Sequence, residues 1–149
     1  MQNRYLNLSL LLLRLFVGLI MVYTGAQKLF GVFGGAGFMG TLKMFETIFH
    51  IPPYLTVVDI FVEFFGGTAL VFGFFTRVAS FGVAIVMAVA TSLYFHELPT
   101  VFEGKGFQTV NALRDIGWPA SFLVMSLVLM MLGSGSFSLD ALLFGRKRK

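Results

Sequence analysis

A chain of 149 residues that is 57% apolar and only 12% charged lies outside the range of soluble domains, which run near roughly 45–50% apolar and about 25% charged, so a single transmembrane domain over 1–149 is expected. The absence of cysteine excludes intrinsic dithiol chemistry, iron–sulfur ligation and thiolate attachment of haem. The net charge of +4 equals the four basic residues of Arg146-Lys147-Arg148-Lys149; a basic tail at 145–149 suits the cytoplasmic face of a membrane and gives no support to nucleic-acid binding.

The first apolar run, about 8–30, is long enough to cross a bilayer, which takes about 20 helical residues. Arg4 ahead of it raises the alternative of a signal peptide, but the run is longer than the roughly 7–15 apolar residues of such segments and contains Arg14. Arg14, Gly18, Met21, Gly25 and Lys28 recur at steps of four and three and therefore share one helical face. The next segment, GVFGGAGFMG, holds Gly31, Gly34, Gly35, Gly37 and Gly40 and reads as a flexible turn. Over 38–49, Phe38, Leu42, Phe45 and Phe49 fall on one side while Lys43, Glu46 and His50 fall towards the other. That is a short amphipathic helix suited to the membrane interface.

Pro52 and Pro53 end this helix and launch a second span, about 54–76. In it Asp59, Glu63, Gly66, Leu70, Gly73 and, just past its end, Arg77 follow the same spacing, so every charge is predicted on one face. A carboxylate at the centre of a bilayer costs about 2.5 kcal/mol or more, so this face should look into protein or water and line a polar interior site. The third span, about 78–95, forms a tight hairpin with the second, and Ser80, Ala84, Ala88 and Ser92 give it a small-residue packing seam. After a polar loop, Trp118 and Pro119 are predicted to open the last span, about 118–133, with Trp at the interface and Pro in the first turn. Basic residues in the connections favour the side of Arg4, Arg77 and the tail over that of Lys43, Lys105 and Arg114, which places both termini in the cytoplasm.

Antiparallel registration of the first two spans brings Lys28 and Asp59 to one level and makes them natural partners. Glu63 lies a turn deeper and is the hardest charge to pair, with Arg14 in the inner half having to extend to reach it. Thr24, Gln27, Thr91, Ser92, Tyr94, His96 and Ser121 fall in the outer half. Together these define an outward-opening pocket roofed by the 38–49 helix, with Lys28, Asp59, Glu63, Arg14, Gln27, Thr24, Tyr94 and His96 as its ligand-binding set and Glu63 as the candidate catalytic group. The competing reading is that the ionic groups only neutralise one another and fix helix register. His50 and His96 without an ordered ligand motif read as hydrogen-bonding residues, so neither haem nor another metal site is expected. The methionines read as packing, and no HExxH, phosphate loop, nucleophile elbow or dinucleotide fingerprint is present.

The stretches LRLFVGLIMVYTGAQKLFG, IPPYL, VEFFGGTALVFGFFTR, His96 and LGSGSFSLDALL, in this order, resemble the DoxX family of small bacterial and archaeal membrane proteins over nearly the whole chain. By that resemblance Arg14, Lys28, Glu63, Gly67, Arg77 and Asp140 occupy characteristic positions, and the implied topology is four spans with both ends inside the cytoplasmic membrane. Members often carry an acid at the start of the last span, where this chain has Trp118-Pro119 with Asp115 as the nearest acid. The family is linked to quinone-dependent thiosulfate oxidation, terminal quinol oxidases and membrane oxidoreductase assemblies that handle oxidative stress.

The expectation is thus an all-α, integral membrane four-helix bundle with a short interfacial amphipathic helix between spans one and two. Gly18, Gly25, Gly66, Gly67, Gly73, Arg77 and Asp140 have structural roles in it. Its expected function is that of an accessory or small subunit of a quinone-linked redox assembly, at most a subunit of a membrane oxidoreductase. Quinone is the candidate ligand, and membrane lipid, redox subunits and a second copy are the candidate partners. The alternatives are a lipid or small-amphiphile binding or transport protein without redox chemistry, and a structural assembly partner.

Overall fold

The computed structural model describes residues 2–95 and 107–144, so His96, most of the polar loop and the basic tail lie outside the described residues. Among the described residues the chain is helical, with no strand. Helix α1 is Gln2–Phe30, followed by a 3-10 turn at Val32–Gly34 and by α2, Gly37–Phe49. Helix α3 runs Pro53–Phe72 with a π-helical turn at Val62–Gly66 inside it. Helices α4, Thr76–Phe95, α5, Phe107–Leu132, and the short α6, Leu139–Phe144, complete the order. Four helices are long and apolar enough to cross a membrane, over Arg4–Phe30, Pro53–Phe72, Thr76–Phe95 and Arg114–Leu132. The result is the expected all-α membrane helical bundle, with the amphipathic helix between its first two long helices.

Among the described residues, a cluster of Leu10, Val17, Met21, Leu70, Val83, Met87, Phe122 and Leu129 forms the core. Phe16, Leu19, Phe72, Phe81, Val89 and Met131 are exposed, as suits helices whose outer faces meet hydrocarbon. In that setting burial of apolar surface gives no drive for helix association, and close packing at small residues supplies it. At the α1–α3 contact a Cβ on Gly25 would lie 2.6 Å from the Phe64 amide nitrogen, and one on Gly67 would lie 2.7 Å from that of Val22. Backbone meets backbone there.

Gly66 was expected on the same face but packs towards α4, where its Cβ position lies 3.4 Å from Val83 Cγ2. The π turn is the reason. Its wider winding brings Gly67 into line with Glu63 and carries Gly66 round the helix. Thr68 Oγ1 donates to the Phe64 carbonyl at 2.7 Å within this loosened stretch.

Three predicted boundaries move. Helix α3 stops at Phe72 instead of 76, because Gly73 takes a left-handed backbone (φ 67) while its N–H and that of Phe74 donate to the carbonyls of Leu70 and Ala69. This is the glycine-terminated helix end expected of a residue with no Cβ penalty. Arg77 consequently belongs to α4, away from the Asp59–Glu63 face; it is exposed and donates weakly to the Met131 carbonyl at 3.5 Å. Pro119 does not open the last helix but lies inside α5, where it is buried. Membrane helices accommodate such a proline when neighbouring groups take up the freed backbone. The seam on α4 also turns: Ser80 and Ala84 are buried but Ala88 and Ser92 are exposed, since a row of every fourth residue drifts by about 40° per step.

The segment 133–140 closes the end of the bundle opposite α2. Asp140 Oδ1 accepts the Phe75 N–H at 2.7 Å and Oδ2 accepts that of Thr76 at 2.9 Å, capping α4 from a distant part of the chain. The Asp140 N–H in turn donates to the Gly73 carbonyl at 2.9 Å. Arg14, 2% exposed, donates from Nη1 to Ser134 O at 3.0 Å and from Nη2 to Phe137 O at 2.6 Å. Replacing Asp140 with alanine is expected to lower stability by about 0.5–2 kcal/mol, the range for a lost helix cap. Thermal unfolding in detergent measures it, and an unchanged midpoint would show that the cap contributes nothing.

Candidate functional site

Three of the charges that the sequence spaced along two helices, Lys28, Asp59 and Glu63, meet at the α2 end of the bundle. Lys28 Nζ lies 2.7 Å from Asp59 Oδ2 and 2.9 Å from Glu63 Oε2, so one ammonium bridges both carboxylates. The Phe45 ring of α2 covers the same ammonium, 5.2 Å from Nζ to its centroid, a cation–π contact. Glu63 is the most enclosed of the three, with its side chain 5% exposed against 21% for Lys28 and 17% for Asp59. The glycines explain the closeness: Gly25 lets α1 touch the backbone of Phe64, which follows Glu63 directly.

This cluster forms one end of a cavity of about 620 Å³. Helix α1 contributes Met21 and Thr24; α2 contributes Met44, Phe45, Ile48 and Phe49; α4 contributes Met87, Ala90, Leu93 and Tyr94. Arg114, Asp115, Trp118 and Pro119 of α5 complete the lining. The amphipathic helix is thus a wall of the chamber, joined to α4 by an edge-on contact of Phe49 with Tyr94 at 6.3 Å between ring centroids. A mostly apolar chamber with a small ionic end fits an amphiphile with a compact polar head.

Of the predicted ligand-binding set, Lys28, Asp59, Glu63, Thr24 and Tyr94 line the cavity. Arg14 does not. Glu63 meets Lys28 instead, while the guanidinium of Arg14 is held by the 133–138 backbone at the other end of the bundle. Gln27 also points elsewhere, donating to Tyr23 Oη and Phe33 O, both at 3.2 Å, and so tying α1 to the 3-10 turn. Thr91, Ser92 and Ser121 donate to carbonyls of their own helices at 2.7 Å and do not line the chamber. His50 ends α2 in a left-handed conformation (φ 54), and His96 is outside the described residues. Among the described residues no group of three or more His, Cys, Asp or Glu side chains is placed to hold a metal ion.

Two features lay outside the predicted ligand-binding set. Asp115, noted from the resemblance only as the nearest acid to the start of the last span, lines the cavity because α5 begins before Trp118. The π turn beside Glu63 had no signal beyond the adjacent Gly66 and Gly67; such turns occur often at functional sites.

The chain matches the model of the DoxX family over residues 9–97, a stretch that includes Arg14, Lys28, Glu63, Gly67 and Arg77. It is 24% identical to the Escherichia coli K12 protein named "Inner membrane protein YqjF", over 92% of this chain and 93% of that one. It is 27% identical to the Bacillus subtilis 168 protein named "Putative oxidoreductase CatD", over 99% of this chain and 96% of that one. No solved structure matches it.

Proposed function

The chain belongs to the DoxX family of membrane proteins, and from that premise we propose that it is an accessory or small subunit of a quinone-linked redox assembly. The observation that carries this reading is the Lys28–Asp59–Glu63 cluster at one end of a cavity whose walls are apolar and aromatic. The name of the Bacillus subtilis relative supports an oxidoreductase context, and that of the Escherichia coli relative supports the cytoplasmic (inner) membrane. With both termini on the cytoplasmic side, as the basic residues suggest, the cavity opens in the outer half of the bilayer.

The residues fit such a ligand. A volume of about 620 Å³ lies within the roughly 300–1,000 Å³ of small-molecule sites, and Phe49, Tyr94 and Trp118 offer flat surfaces for a ring. A bound quinone supplies two-electron, two-proton carriage. The chain's part is to hold the head group against Lys28, Asp59 and Glu63, to exclude water with α2, and to accept or give a proton at the Glu63 carboxyl. In this reading a partner subunit delivers the electrons.

Organic extraction of the purified protein tests this. Quinone is expected in near-stoichiometric amount, falling several-fold in the Glu63→Gln variant. Recovery of phospholipid alone would replace this reading with that of a lipid or amphiphile binder, which the apolar walls also suit. Stable complexes with an empty extract would leave a structural partner.

A further inference from the structure

We propose that the ionic end of the cavity selects heads that donate hydrogen bonds, so that of a quinone-type couple it holds the hydroquinone in preference to the quinone. This inference rests on the quinone reading above and names the form of ligand that the same cavity takes. The starting point is Lys28, whose ammonium has three N–H donors and no acceptor. Its surroundings occupy three sides: Asp59 Oδ2 at 2.7 Å, Glu63 Oε2 at 2.9 Å and the face of Phe45. Little donating capacity is left for a ligand.

The carboxylates are different. Each ionised carboxylate has two oxygens and about four acceptor positions, and each gives one oxygen to Lys28. Two carboxyl groups, with four oxygens between them, share one ammonium, so acceptor positions outnumber donors at this end. The other cation lining the cavity, Arg114, has a 74% exposed side chain and is paired with Asp115 at 3.3 Å. Thr24 adds at most one donor, which its hydroxyl divides between the Glu63 carboxyl and the Met21 carbonyl, 3.2 Å away.

A quinone carbonyl only accepts. Placed here it would set lone pairs against lone pairs, or draw Lys28 away from a charge-assisted bond to a carboxylate. A hydroquinone hydroxyl donates into the unused carboxylate positions with Lys28 left in place. Sites whose polar groups need a donor discriminate strongly against an analogue that lacks it. By linkage, each tenfold preference for the reduced form raises the potential of the bound two-electron couple by about 30 mV.

The test uses the full chain in lipid nanodiscs under anaerobic conditions, with equilibrium dialysis of a decyl-substituted benzoquinone and of its benzoquinol. The benzoquinol is expected to bind at least tenfold more tightly. Glu63→Gln and Asp59→Asn each replace a carboxylate oxygen with an amide donor, and each should shrink the ratio severalfold. The wild-type ratio decides the matter even where a variant fails to fold. Equal or tighter binding of the benzoquinone would overturn the inference and leave the quinone site standing. Binding of neither probe above empty nanodiscs would remove the quinone site itself, and this inference with it.

Discussion

Replacing Lys28 with methionine is expected to destabilise the protein by about 3 kcal/mol and to abolish retention of a head group in the cavity. The loss is large because the substitution leaves Asp59 and Glu63, 17% and 5% exposed, as two neighbouring carboxylates with no cation between them. Removing one member of a buried ionic cluster costs about 3–5 kcal/mol, most of it from the uncompensated charge that stays behind. The partial exposure of Lys28 and Asp59 argues for the lower end of that range. In the triple variant Lys28→Met, Asp59→Asn, Glu63→Gln no charge is stranded, so most of the stability should return. Ligand binding should not return with it. Unfolding in detergent and quantitation of extracted ligand, measured on the same preparations, separate the two effects. If the triple variant kept its ligand, the ionic groups would serve helix register alone.

The second large effect divides two adjacent glycines. Gly67→Ala places a methyl group 2.7 Å from the Val22 amide nitrogen and 2.9 Å from the Gly18 carbonyl, both of them backbone that cannot turn aside. Overpacking of a close contact costs about 1–3 kcal/mol and sometimes more. The two helices must separate, and the Lys28 bridge between them must lengthen. Gly66→Ala meets Val83 Cγ2 at 3.4 Å and the Ala79 carbonyl and Val62 Cγ1 at 3.8 Å, a tolerable fit. Alanine also favours the helix by up to about 1 kcal/mol over glycine. Gly66→Ala should therefore be neutral or stabilising while Gly67→Ala lowers the unfolding temperature and weakens ligand retention. The reverse order would contradict the π-helical register of Val62–Gly66.

The partnership of Lys28 with Asp59 could be read from four-three spacing on antiparallel helices because a helix has a fixed rise and both spans cross the same bilayer, so aligning their middles sets the level of each residue. The same reasoning misplaced Arg14. Its position on the α1 stripe said which face it occupied, but the carbonyls of Ser134 and Phe137 that bind it lie more than a hundred residues on. Asp140 was noticed only through resemblance, since nothing near it in sequence shows that it caps α4. Lys28 as a bridge for both carboxylates was missed for a related reason: pairing charges one to one left Glu63 without a partner, whereas an ammonium can serve two acceptors.

Composition, apolar run length and residue spacing by themselves determined an all-α membrane protein, its amphipathic second helix and the facing of Lys28 towards Asp59. These follow from hydrophobic length and helical period, which act within a few turns. Only the tertiary structure decided that a π turn would set Gly67 against α1, that α2 and α5 would close a chamber over Lys28, and that the 133–140 segment would take up Arg14 and cap α4. Those outcomes depend on which backbone groups from distant segments come within hydrogen-bonding or van der Waals reach, a property of the packed chain that no local spacing contains.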